Sequence, residues 1–155
     1  MENASKALLM AAGVLIGVLI ISLAVYLMSY FGGVSADIHK QQKANQINQF
    51  NSQFTAYEGK DCTVYDAVTL ANLAKSNNEN YSLTSASTNN YYITVKLSGK
   101  NIENMKKEEL DNIITKEMTK MITDEDGKQV LPKYSCTVTI NSKTQRVQTV
   151  VFKNK

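Results

Sequence analysis

The sequence reads as an α+β protein. We expect a long N-terminal transmembrane and stalk helix, then a small head with two further helices and a three-stranded, mostly antiparallel sheet. Three observations carry this expectation. Residues 7–31 hold no charged side chain and are built mainly from Leu, Ile, Val, Ala, Met and Gly. Residues 34–57 contain no Pro, and their later apolar positions recur at helical spacing. Beyond Gly59, short alternating runs are interleaved with runs of helical period. The division that follows is tail and transmembrane helix 1–33, juxtamembrane stalk 34–58 and head 59–155.

The apolar run would extend about 37 Å as a helix, and a bilayer core takes about 20 residues. A buried soluble helix is not the expectation, because so small a domain could not cover 25 uncharged residues on all sides. A cleaved signal peptide is the competing reading, since Val34-Ser35-Ala36 offers small residues at cleavage spacing. The run is far longer than a signal core, and Lys6 is the one basic side chain before it, so a retained anchor is the expectation. Lys40 and Lys43 after the run favour a cytoplasmic C-terminal domain. The short tail, the cysteine pair and an excess of 14 Asn and 13 Thr from Val34 onward favour an extracellular one. We expect the latter: a single pass in the cell membrane, with the head at the cell surface. Gly13 and Gly17 form a G-x-x-x-G, with Ala12 and Ala24 nearby, a spacing that lets membrane helices pack closely.

In the stalk, Ile47, Phe50, Phe54 and Tyr57 form one apolar stripe that should pack against the head. Glu58-Gly59 supplies a stop. Thr63 and Asp66 match a helix start signal, with Val64, Ala67, Val68, Leu70, Ala71 and Ala74 as the apolar face and Asn77-Asn78 as the end. Residues 82–89 read as a loop. Tyr91, Ile93, Val95 and Leu97 alternate as the inward face of a strand, leaving Tyr92 outward. A third helix is expected over roughly 105–122. Tyr134, Cys136, Val138 and Ile140 alternate in a second strand, Asn141-Ser142-Lys143 make a turn, and residues 145–153 form the last strand.

Candidate chemistry is sparse. Net charge is +3 with no block of like charges, and Arg146 is the sole Arg, so nucleic acid is not an expected partner. His39 is the sole His, which excludes a multi-histidine metal site. Asp124, Asp126 and Gly127 fail the calcium-loop spacing, because Ile122 and Lys133 occupy two required acidic positions. Nucleophile-elbow, phosphate-loop and zinc motifs do not occur. No enzyme activity, cofactor or small-molecule substrate is therefore expected. Cys62 and Cys136 are too far apart for a C-x-x-C element. In an extracellular head they read as a candidate disulfide, with two buried thiols as the alternative. Tyr81, Tyr91, Tyr92 and Tyr134 raise a sugar-stacking face against ordinary packing.

An uncharged apolar helix running into an amphipathic one, followed by a head with a C-terminal antiparallel sheet, resembles a type IV pilin-like subunit. Lys- and Asn-rich usage suits a small single-pass surface protein of a Gram-positive bacterium. The family's Gly-Phe peptidase site and its early helical Glu have no counterpart here, Glu2 being the one acidic residue before the run. The resemblance implies a structural protein that self-associates through its N-terminal helix, with the bilayer and its own copies as partners. The alternative is a monomeric surface module that binds a protein or an envelope polymer.

Overall fold

The computed structural model describes residues 2–86, 89–123 and 126–155. The chain divides into two compact units, one ending at Gln46 and one spanning Ile47–Lys155. Helix α1 runs over Glu2–Thr55 without interruption at Gly32 or Gly33, so its last turns belong to the second unit. In the first unit, Lys6 and Glu2 pair one turn apart at 3.1 Å, which offsets the charge ahead of the apolar run.

The second unit contains β1 (Asp61–Cys62), α2 (Val64–Asn80), β2 (Thr94–Leu97), β3 (Lys100–Asn101), α3 (Lys107–Met118), β4 (Ile122–Thr123), β5 (Gln129–Val130), β6 (Tyr134–Ile140) and β7 (Val147–Asn154). The α+β class holds, but the sheet differs from the three strands expected. It has five strands in the order β1-β6-β7-β2-β3, and β4-β5 form a separate two-stranded pair. It is also mixed, because β2 lies parallel to β7, with Val95 beside Val150 and Leu97 beside Phe152. β1 and β3 are two residues each, too short to leave a periodic signal. The third helix stops at Met118, and Ile122 pairs with Val130 in β4-β5 instead of extending the helix.

Local chemistry explains the boundaries. At the start of α2, the Asp66 carboxylate accepts the Thr63 N–H at 2.7 Å and the Thr63 hydroxyl at 2.9 Å. β2 turns into β3 through Ser98 and Gly99, both at positive φ, a geometry that glycine adopts without a side-chain clash. In the β6–β7 turn, the Asn141 side chain accepts the N–H groups of Lys143 and Thr144.

The core gathers Phe54 of α1, the apolar face of α2, Val95 and Leu97 of β2, Tyr134 and Cys136 of β6, and Val147, Val150 and Phe152 of β7. Two asparagines lock this core by pairing with backbone. Asn78 donates to the Ile93 carbonyl at 2.9 Å and accepts the Ile93 N–H at 3.0 Å. Asn51 donates to the Gln145 carbonyl at 2.7 Å and accepts the Val147 N–H at 3.0 Å. Asn78 does for Ile93, and Asn51 for Gln145 and Val147, what a neighbouring strand would do, so these peptide groups stay paired. Asn77 and Asn78 therefore lie inside α2 and do not end it. Glu103, 2% exposed, plays a similar part: it accepts the Val95 N–H at 3.2 Å and the Tyr92 hydroxyl at 3.3 Å.

Candidate functional site: an uncovered apolar helix and an arginine–tyrosine recess

Two features stand apart from this core. The first is the apolar part of α1. Leu8, Leu9, Met10, Leu15, Leu19, Ile21 and Met28 are all more than half exposed, and no residue of the membrane-length segment is buried within the chain. The helix is long and apolar enough to cross a membrane, a property it shares with signal sequences. Gly13 and Gly17 lie within it, and a Cβ built on either would meet nothing within 4 Å. No contact among the described residues requires those glycines, although Gly in a helix costs about 1 kcal/mol relative to Ala. Ala12 and Ala24 are likewise exposed. At the far end of the run, Tyr26 and Tyr30 stack one turn apart with ring centroids 6.4 Å apart, and Phe31 packs edgewise on Tyr30. Sequence reasoning passed over this aromatic group. Its signal was three rings in six positions where the apolar run ends, as in the aromatic belts of membrane interfaces.

Among the stalk residues, Phe54 is fully buried, Phe50 and Tyr57 pack partly buried against the core, and Ile47 is half-buried. His39 is exposed on α1. Cys62 and Cys136 are buried together in the core, but both are free, so the expected cross-link is absent. The Cys62 thiol lies 3.5 Å from the Tyr57 carbonyl oxygen and 3.6 Å from that of Lys60, as a small apolar residue with a weak donor would. Burial, then the neighbouring Cys62, pushes the Cys136 thiol up to about 12. Burial also raises Cys62. Both are held as neutral, unreactive thiols. Of the calcium-loop lookalike, Asp124 lies outside the described residues, as do Ser87 and Thr88 of the expected 82–89 loop.

The second feature is a recess of about 250 Å³ lined by Tyr81, Leu83, Tyr91 and Arg146. Here Ile93, Val95 and Leu97 are buried as expected, but Tyr91 and Tyr92 exchange places: Tyr92 is buried on Glu103 and Asn104, and Tyr91 is exposed. The reason is that β2 begins only at Thr94, so residues 91–93 approach the sheet without the period of a strand. Arg146 enters from the β6–β7 turn. Its guanidinium lies 3.9 Å from the centroid of the Phe50 ring and 5.7 Å from those of Tyr81 and Tyr91. It donates to Asn77 Oδ1 at 3.1 Å. Sequence reasoning weighed Arg146 only for the scarcity of its type. The turn that delivers it to Phe50 links residues almost a hundred positions apart, which no local pattern records.

Comparison with protein-family models, with curated proteins and with solved structures gives no match. The chain is therefore described by its architecture, a long apolar N-terminal helix followed by a small α+β head.

Proposed function

We propose that this protein is a membrane-anchored, pilin-like structural subunit that self-associates through residues 7–31 and displays its head at the cell surface. The supporting observation is the uncovered apolar length of α1, with Leu8 at 74% and Met28 at 81% exposure. At about 25 cal/mol per Å² of apolar area, such a surface is strongly driven out of water. A bilayer covers it before assembly, and copies of the same helix cover it afterward. Gly13 and Gly17 let two backbones approach in either setting. Tyr26 and Tyr30 mark the interface on the head side of the run.

The test is electron microscopy of sheared cell-surface material, with mass analysis for this chain. Filaments containing the chain support the reading. Its exclusive recovery as a detergent-solubilised monomer overturns self-association and leaves the second reading, a monomeric surface module. The arginine–tyrosine recess favours that second reading, because it offers a binding feature that assembly does not use.

A further inference from the structure

We infer that the recess lined by Tyr81, Leu83, Tyr91 and Arg146 is a binding site for a carboxylate-bearing sugar residue, such as a hexuronate unit of a glycan. This inference stands apart from the reading of α1, because every residue it uses lies in the Ile47–Lys155 unit. It starts from the guanidinium. Arg carries five N–H donors in a fixed planar fork. One bond goes to Asn77, and no ion pair reaches Arg146 among the described residues. No buried side-chain nitrogen or oxygen lacks a partner among those residues, so the remaining donors are open to solvent. The Phe50 stack and the Asn77 bond fix the plane of the fork in advance. A ligand carboxylate therefore meets an ordered, unpaired, bidentate donor with less entropy left to lose.

The walls narrow the ligand class. Tyr81 is 63% exposed and Tyr91 48% exposed, two aromatic side chains beside a cation at the mouth of a small open recess. Such rings offer broad apolar faces to the C–H face of a pyranose, while their hydroxyl ends stay wet. A few polar groups set among aromatic walls is the usual composition of a small-ligand site. A peptide added as a strand does not fit, because Arg146 lies just before β7, and β7 is paired by β6 on one edge and β2 on the other. A phosphate site would call for several converging donors or cations, and no lysine lines this recess.

Because Arg146 is the sole arginine, its Nε–H gives one resolved NMR resonance in the full-length chain held in detergent micelles. That resonance is followed during titration with methyl glucuronide, methyl glucoside, sodium acetate and a short Glu-containing peptide. Methyl glucuronide should give a saturable shift with a dissociation constant on the order of 1 mM. The glucoside and acetate should bind about tenfold more weakly or worse, since each lacks one of the two recognised parts. Tyr81→Ala and Tyr91→Ala should each weaken the glucuronide by several-fold and leave distant resonances in place. Arg146→Lys, read at the backbone amide of Tyr91 because the Nε–H is lost, should weaken it about tenfold, since an ammonium cannot replace the fork. The exposed tyrosine variants keep the test decisive if Arg146→Lys disturbs the fold. Acetate binding as well as the glucuronide, tighter binding of the peptide, or no saturable shift from the glucuronide would each overturn the inference.

Discussion

In the apolar stretch of α1, leucines and isoleucines stand exposed among the described residues. In the head, Asn51, Asn77, Asn78 and Glu103 are buried, each with a hydrogen-bond partner. The two regions depart from ordinary soluble patterning in opposite directions. The head satisfies its polar side chains internally, since every buried side-chain nitrogen and oxygen described is paired. The helix leaves its apolar surface open, with no residue of the membrane-length segment buried among the described residues. Stability should therefore reside in the head, and association in the helix.

The sharpest way to break that contrast is to charge the helix. Leu15→Lys together with Leu19→Lys should cost about 6 kcal/mol on membrane-insertion scales. The chain should then leave the membrane pellet on carbonate extraction, while a variant that remains fully embedded breaks the contrast at its helix end. Next comes the head. Asn78→Ala leaves the Ile93 N–H and carbonyl unpaired and should destabilise the head by about 3 kcal/mol. Leu19→Ala should leave the same urea unfolding curve, read by tyrosine fluorescence, within about 0.5 kcal/mol. Equal effects from these two substitutions would erase the distinction.

The thiols sharpen the picture of a closed head. With Cys136 held near 12, its reaction with a thiol reagent at pH 8 should be roughly a thousandfold slower in the folded chain than after unfolding in urea. Prompt native labelling at Cys136 would show a head that opens readily. The smallest effect concerns α3 and β6, where Tyr134 donates to Glu117 at 2.6 Å and Lys120 pairs with it at 2.8 Å. Partial burial alone would raise the Glu117 carboxyl, but the bonds from Lys120 and Tyr134 outweigh it and hold the group below its ordinary 4.5. A depressed carboxyl stabilises the fold above its unfolded value. That contribution fades as pH falls through the lower native value. Glu117→Gln should therefore remove a small part of the acid sensitivity below pH 4.5, under about 1 kcal/mol, visible as a flatter stability–pH curve.

The same contrast governs how much was legible in the sequence. The apolar run, the helix start at Thr63–Asp66 and the β6–β7 pair are local patterns, and they could be read from neighbouring residues alone. The asparagine clamps could not. Asn is a poor helix former, so Asn77-Asn78 reads as a stop, until bonds to Ile93 and Arg146 many positions away offset that tendency. The parallel pairing of β2 with β7 is likewise a long-range choice, as is the stacking of Arg146 on Phe50. Alternation misplaced Tyr91 and Tyr92 because it assumed a strand three residues before one begins. Of the candidate site, the uncovered helix was visible in the sequence; of the recess, Tyr81 and Tyr91 were raised as stacking rings, and the long-range arrival of Arg146 was not.

Oxidative cross-linking in native membranes tests self-association through the helix most directly. A single new thiol is placed by Gly13→Cys or Gly17→Cys, with Leu15→Cys on the opposite helical face as the comparison; Cys62 and Cys136 stay silent because they are buried. A disulfide requires Cα atoms within about 7 Å, so it reports only close backbone approach. The predicted result is a covalent dimer at positions 13 and 17 and little or none at 15. Equal cross-linking at all three positions, or none at any, would contradict assembly through the Gly13–Gly17 face.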